Sequence, residues 1–332
     1  RYYSMDFNLT PDQQNIRQAI LKHCTRFPDS YWLEHDRDGV FPNDFFQSLV
    51  DAGWLGIAMP SEYGGTGLGI TEAAVMMQAI AESGAGMSGA SAVHIPVFSV
   101  QPVVLFGTQE QKARILPEVV SGKDRVCFAV TEPNAGLNTT EITTRAERRS
   151  GGYMVNGDKI WISTAQVSNK MLLLARTTPL DQVKRKTEGL SLFYTDLDRA
   201  KIEVRLIHKM GRHAVDSNML FIHDLWVPEQ DRIGAEGEGF KLLLHGLNPE
   251  RVLVAAEAVG IGRAALTRAA RYARERIVFS RPIGMNQGIQ HPLAKCWAQL
   301  EAANLMVMKA ASLFDSKQEC GIEANAAKYL AG

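Results

Sequence analysis

Two stretches decide how this chain is read: Arg125-Val-Cys-Phe-Ala-Val-Thr-Glu-Pro-Asn-Ala-Gly136 and, after a polar interval, Tyr153-Met-Val-Asn-Gly-Asp-Lys-Ile-Trp-Ile-Ser163. In the first, a short apolar run from Val126 to Val130 gives way to Thr131, Glu132 and Pro133. That pattern predicts a strand closed by a proline, which has no N–H to give a ladder. Asn134, Ala135 and Gly136 continue it as a loop able to reach positive φ and to turn backbone N–H groups toward a bound group. The second stretch reads as two strands joined at Asn156-Gly157, a strong hairpin signal. If these strands share a sheet, Trp161 and Ser163 lie beside the Thr131 loop, and an indole face with short hydroxyls suits a flat, hydrogen-bonding heterocycle. A strand-end threonine and a core tryptophan are the plainer alternative.

Working outward, composition bounds the rest. The 332 residues are 45% hydrophobic and 22% charged, an ordinary soluble balance with length for more than one domain. Thirty-six basic and thirty-six acidic side chains cancel, so no bulk field draws nucleic acid or anionic membrane, and an anionic ligand must be held locally. Cys24, Cys127, Cys296 and Cys320 lie far apart without metal-binding spacing, which implies free thiols, a reducing compartment and no metal centre. No apolar stretch is read as approaching the roughly 20 residues of a membrane span. The first residues carry no signal-peptide pattern. The last residues, Lys328 to Gly332, break off inside a helical pattern, so a longer chain is expected.

From Thr10 to about 122 the pattern is helical. Thr10-Pro11 pairs an N-cap with a first-turn proline, and Pro42 to Ala52 forms an amphipathic helix with Phe45, Phe46, Leu49 and Val50 on one side. Pro60 to Gly69 is a glycine-rich turn lacking the Gly-Lys-Ser/Thr of a phosphate loop. Residues 84 to 107 are small and apolar with His94 as the only ionisable group, which reads as a buried helix with one hydrogen-bonded histidine. From 123 to about 234 the period becomes two, with strands at 170–175, 190–194, 202–206 and 219–222 predicting a small β-barrel or sandwich. The polar run 179–188 is a solvated loop. After Gly239 helices return. Asn248-Pro249 either kinks a helix and frees the carbonyl of His245, or caps a fresh one in which Glu250 is a first-turn carboxylate. Gly260-Ile-Gly-Arg-Ala-Ala265 mimics a dinucleotide fingerprint but follows no strand, so its small residues are assigned to close helix packing. The order predicts an α+β protein with domains at 1–122, 123–234 and 235–332.

Val130-Thr-Glu-Pro-Asn-Ala-Gly136 and Lys159-Ile-Trp-Ile-Ser163 resemble the flavin-cradling segments of the acyl-CoA dehydrogenase family. Pro60-Ser-Glu-Tyr-Gly-Gly-Thr-Gly67, Phe106-Gly-Thr-Gln-Glu-Gln-Lys112, Gly237-Glu-Gly-Phe240 and Tyr272-Ala-Arg-Glu-Arg-Ile-Val-Phe279 succeed one another in that family's order, so the resemblance covers nearly the whole chain. It implies an N-terminal helical domain, a central β domain and a C-terminal four-helix bundle, of which this chain stops about two helices short. It implies FAD, held at Phe128, Val130, Thr131, Gly136, Leu137, Trp161 and Ser163. Many members carry Ser where Leu137 stands, so here only the backbone N–H is offered. Arg276, Phe279 and Gln287 match positions that reach the flavin of a neighbouring subunit, which implies a dimer or a dimer of dimers. Residues 274–276 read alone are a solvated helix face. His94 falls near the closed end of the family's acyl pocket.

The chemistry so implied is oxidation of an acyl-CoA between Cα and Cβ to a trans-2-enoyl-CoA, with electrons passed to an electron-transfer flavoprotein. It needs a base for the α proton, a hydride acceptor and donors on the thioester carbonyl. The resemblance places the base either in a C-terminal segment this chain lacks or at Glu250, followed by Arg251, as in the isovaleryl and long-chain branches. An acyl-CoA or nitroalkane oxidase using O2, or a flavin- or CoA-binding partner without turnover, fits the same residues. The expected compartment is the mitochondrial matrix or peroxisome in a eukaryote and the cytoplasm in a bacterium.

Overall fold

The computed structural model describes residues 7–332, which divide into two bodies. The first comprises residues 33–68 and 91–250 and is built on one eight-stranded sheet. Its strands are β1 (Val126–Ala129), β2 (Arg145–Arg149), β3 (Gly152–Ser163), β4 (Lys170–Arg176), β5 (Leu190–Asp196), β6 (Ile202–Leu206), β7 (Ser217–Pro228) and β8 (Arg232–Ile233). They run in the order β6-β7-β3-β2-β4-β5-β8, with β1 pairing in parallel to β4. Alternation drives this. On one face of β4 and β5 Met171, Leu173, Ala175 and Phe193 join Cys127, Tyr153, Val155, Leu220 and Ile222 in a dry core.

The period-two reading from 123 to 234 therefore gives the expected β domain, but one hairpin moves. Asn156-Gly157 is not a turn; β3 runs straight through it, with a register shift against β7 between Val155 and Gly157. The tight connection lies at Ser150-Gly151, where Gly151 has φ +83° and Arg149 pairs with Gly152. Gly157 is instead required by space: a Cβ there would sit 2.7 Å from Thr144 Cα. An Asn-Gly pair signals a hairpin only when the chain has no longer partner strand, and β7 provides one over twelve residues.

Helices α2 (Asp29–Asp38), α3 (Asn43–Asp51), α5 (Gly86–Ser99), α6 (Gln101–Phe106) and α7 (Gln109–Val120) belong wholly or in part to this body, as does the start of α8 (Gly239–Glu275). α8 continues unbroken through Pro249, so Asn248 caps no new helix and Glu250 is an interior residue of α8, not a first-turn carboxylate. A proline ring lacks only its own N–H, and the flanking turns hold the helix across the lost bond to His245.

The second body comprises residues 7–32, 69–90 and 251–332, with α1 (Pro11–Cys24), α4 (Ile70–Ile80), most of α8, α9 (Gln287–Asp315) and α10 (Gly321–Ala331). Thr10 caps α1 as expected, and Gln13 completes a capping box with it. α4 is capped from across the chain: Asp315 accepts from the Ile70 and Thr71 N–H groups at 2.8 Å each and from the Thr71 hydroxyl at 2.6 Å. Gly69 leaves room for that carboxylate, which overlaps the place of a Cβ. Gly260 likewise lets α8 close on the Gln78 carbonyl of α4, the packing role its small-residue motif suggested. Gln78 is buried, bonded to Asn304 and Arg263 at 2.7 Å each.

The expectation that no apolar stretch nears membrane-span length does not hold. Ile70–Phe106 is long and apolar enough by length and composition, and 83% of its qualifying window is buried inside protein. The run is broken by left-handed Gly84 and Gly86, at φ +110° and +55°.

Candidate functional site

The loop after β1 is pinned by a buried ion pair. Lys159, on β3, is fully buried and its ammonium donates to Glu132 Oε1 at 2.9 Å, Val130 O at 3.0 Å and Leu174 O at 2.8 Å. These are as many acceptors as an ammonium has protons. Glu132 also accepts from the Thr143 N–H and hydroxyl and the Thr144 N–H, at 2.7 to 2.9 Å. Burial works against the Glu132 carboxylate, but Lys159 and these donors outweigh it and hold its pKa below the usual range. For Lys159 burial wins over the attraction of Glu132 and draws the ammonium down to about 8. With every proton and lone pair engaged, the pair is charged at pH 7.

So anchored, the loop meets β3 at its second irregularity. The Ile160 N–H donates to Thr131 O at 2.9 Å, and β3 slips register against β7 between Lys159 and Ile162. The residue thrown out of register is Trp161, at φ +61°, with its side chain 58% exposed. A bulky residue in the left-handed region costs about 1–2 kcal/mol, and an indole left in water gains nothing back. The plainer alternative of a core tryptophan is thereby excluded. Val130 is buried, Thr131 and Phe128 are half-buried, and Gly136 and Leu137 are exposed on the loop beyond the Glu132–Ala135 bridge. The Ile160–Thr131 bond thus sets the Thr131 loop one residue from the exposed Trp161 indole.

Ser163 ends β3 two residues on, and its hydroxyl accepts from the Arg212 guanidinium at 3.2 Å. On the helical side, the rings of His94 and Phe98 on α5 meet edge-on at 5.5 Å, and Phe98 meets Phe128 of β1 at 5.3 Å. His94 is buried, as expected of a lone histidine on an apolar helix. The early turns of α8 pack on the end of α5 and on α6: Gly246 faces Phe98 O and the Pro102 ring, and His245 meets Phe106 at 4.8 Å. Glu250 lies one turn beyond Gly246 on that face, half-buried. His94, Phe98, Phe128 and the Glu250 face of α8 are therefore linked within one body.

In the second body, α8 ends at Glu275 and leads into a hairpin that the sequence reading missed, β9 (Ile277–Val278) against β10 (Arg281–Pro282). Its turn is Phe279-Ser280, both left-handed at φ +52° and +59°. Phe279 stands 94% exposed at the tip. Arg276 and Gln287, the first residue of α9, are also exposed. The periodicity hid the hairpin because each strand has two residues.

Arg212 and the Lys159–Glu132 pair were not singled out as site residues, although the last two stand inside the stretches 125–136 and 153–163. Nothing short of the fold shows that a lysine six places after Tyr153 is dry. A cleft of about 560 Å³ in the first body, lined in part by Arg37, Phe41, His208, Lys209 and His213, includes none of the expected site residues. Among the described residues, no cluster of His, Cys, Asp or Glu is placed to hold a metal ion.

Comparison with known proteins bears on the family and the fold. Family models match in chain order: the acyl-CoA dehydrogenase N-terminal domain at residues 10–123, the middle domain at 127–225 and the C-terminal domain at 237–332. The acyl-CoA dehydrogenase FadE12 of Mycobacterium tuberculosis is 34% identical over 327 residues, covering 96% of this chain and 82% of the relative. The solved structure of butyryl-CoA dehydrogenase from Megasphaera elsdenii superposes with a TM-score of 0.92 at 28% identity, covering 98% of this chain and 85% of that one. A chain in a structure concerned with the electron transferring flavoprotein of Acidaminococcus fermentans and flavin-based electron bifurcation gives a TM-score of 0.91 at 31% identity. It covers the same shares, 98% and 85%.

Proposed function

Because the chain belongs to the acyl-CoA dehydrogenase family of FAD-dependent oxidoreductases, we propose that it takes hydrogen from Cα and Cβ of an acyl-CoA thioester. The product is the trans-2-enoyl-CoA, and the electrons pass to an electron-transfer flavoprotein. The observation that carries the cofactor part is Trp161, exposed and strained beside the pinned Thr131 loop. Phe128, Val130, Thr131, Gly136, Leu137, Trp161 and Ser163 would hold FAD, with Leu137 offering only its backbone. Bound FAD supplies the hydride acceptor.

This chain's own part is to bind, orient and take a proton. Glu250 is the base: its carboxylate accepts the α proton, and the helix face it shares with Gly246 is the one packed on α6 and the end of α5. Arg251, the next residue, orients substrate or base. His94 and Phe98 supply a buried, apolar wall in which a thioester would be shielded from water, so that charge developing at its carbonyl is more strongly stabilised by any donor. Arg276, Phe279 and Gln287 reach the FAD of a second copy, an assignment supported by an aromatic held in the strained turn of an exposed hairpin. The active form is then a dimer or a dimer of dimers.

Denaturing release and chromatography should give FAD, and a nicotinamide nucleotide instead would sink the assignment. Glu250→Gln should keep FAD and bind acyl-CoA yet lose about 10²–10⁴-fold in single-turnover flavin reduction. Reduction at the wild-type rate would place the base elsewhere.

A further inference from the structure

One side chain beside the site is more elaborately built than its place in a surface loop requires. Gly211 and Arg212 are consecutive left-handed residues, at φ +74° and +51°. From that strained backbone the half-buried Arg212 guanidinium reaches three hydroxyls: Ser91 Oγ of α5 at 3.0 Å, Ser163 Oγ of β3 at 3.2 Å and Ser217 Oγ of β7 at 3.4 Å. The loop is held closed behind it. The Lys209 ammonium also donates to Ser217 Oγ, at 2.9 Å, and the His213 N–H donates to Asp36 Oδ1 at 2.6 Å.

We infer that Arg212 is a positioning residue for the redox site, fixing the Ser163 hydroxyl as a donor toward the cofactor. A hydroxyl has one proton and two lone pairs, and its proton rotates to suit its neighbours. A guanidinium has no acceptor, so in the Arg212–Ser163 bond the serine oxygen can only accept. The hydroxyl proton is then directed away from Arg212 and is available to an acceptor atom of the group lying on Trp161. The same bond polarises the hydroxyl and puts a fixed positive charge one side chain behind it, so Ser163 favours the electron-rich, reduced form of that group. The left-handed backbone is what brings the fork to three separate elements at once, and a strained residue of this kind persists only where its surroundings over-determine it. This inference rests on the proposed contact of Ser163 with FAD.

The test is the midpoint potential of protein-bound FAD, followed spectroscopically during reductive titration of the holoenzyme. Arg212→Met should lower it by an amount equivalent to about tenfold in the reduction equilibrium, about 30 mV for a two-electron couple. Arg212→Lys, which keeps a charge but not the fork, should restore part of the shift and remains readable if the Met variant holds FAD poorly. Ser163→Ala should lower the potential similarly, and Arg212→Met on that background should add clearly less than it does alone, the signature of one residue acting largely through the other. Ser91→Ala removes only the α5 anchor and should move the melting temperature without moving the potential. A shift from Ser163→Ala with none from Arg212→Met overturns the inference, as do additive shifts in the double variant. So does a shift from Ser91→Ala as large as that from Arg212→Met, which would make Arg212 a tie between elements. No shift from Ser163→Ala would instead show that the proposed FAD contact of Ser163 is wrong, and the inference would fall with it.

Discussion

Two aromatic residues hold the same forbidden backbone in different surroundings. Trp161 sits at φ +61° in a twelve-residue strand paired to β7, with the neighbouring Ile160 N–H tied to the Thr131 loop and that loop tied down by Lys159 and Glu132. Phe279 sits at φ +52° at the tip of a hairpin whose ladder is two residue pairs, with its ring 94% exposed. The first strain is supported from inside one body by hydrogen bonds and a dry ion pair. The second rests on a two-pair ladder with one further bond at its base, Ile283 N–H to Arg276 O, and no buried ion pair, little support against about 1–2 kcal/mol and an exposed phenyl ring. Trp161 is thus a braced, exposed aromatic and Phe279 a lightly braced one; under the proposed function the first meets the cofactor and the second a neighbouring copy.

The largest blow to this contrast is at Lys159. Lys159→Met leaves Glu132 charged and buried, and chemical denaturation should show a loss of about 3–5 kcal/mol. The FAD-free and FAD-loaded proteins should both suffer, because the loop behind Trp161 is released. If stability is kept, the bulge is held by β7 alone and the contrast with the hairpin narrows.

Acid sharpens the same point. The folded pKa of Glu132 is depressed, so its contribution to stability is complete above the unfolded carboxylate range near 4.5 and is lost as pH falls through the lower folded value. Melting temperature should therefore drop on acidification below that range. Lys159→Met removes the main cause of the depression, so the part of the acid loss that Glu132 contributes should shrink or reverse. An unchanged acid profile would mean that other carboxylates dominate.

A smaller effect tests whether the second body is soundly held apart from its hairpin. Asp315→Ala removes a side-chain cap that takes three donors at the start of α4, and should cost about 0.5–2 kcal/mol. Stability equal to wild type would show that water replaces the cap.

The smallest changes in stability are expected at the two aromatics themselves. Trp161→Gly and Phe279→Gly each relieve the left-handed strain, so neither should alter the stability of the FAD-free chain by more than about 1 kcal/mol. Their other effects should differ. Trp161→Gly should weaken FAD retention about tenfold or more with self-association intact, and Phe279→Gly should weaken self-association, read by light scattering against concentration. If the two variants show the same phenotype, the contrast is broken.

Much of this arrangement was legible beforehand, because the informative signals are local. The N-cap at Thr10, the strand at 202–206 and the polar loop at 179–188 each depend on neighbours a few residues away, and each stands as read. The errors have two causes. Asn156-Gly157 looked like a turn, Pro249 like a possible helix start and 70–106 like nothing of membrane-span length. In the first two, a short-range preference of about 1–3 kcal/mol was overridden by a long ladder or a long helix. In the third, His94 and the glycines obscured how apolar the run is.

By itself, the sequence determined the helical–strand–helical order of the chain, the grouping of Thr131, Trp161 and Ser163 near one another, and the placing of Glu250 beside Arg251 on a helix. These come from periodicity and from motifs read along the chain. Only the tertiary structure decided that Lys159 is dry and paired, that Trp161 faces outward on a strained bulge, that Arg212 gathers three serines, and that Asp315 caps a helix 245 residues away. Burial, register and long-range hydrogen bonds are properties of pairs of distant segments. No single segment encodes them, because each takes its energy from what the other segment does when the two meet.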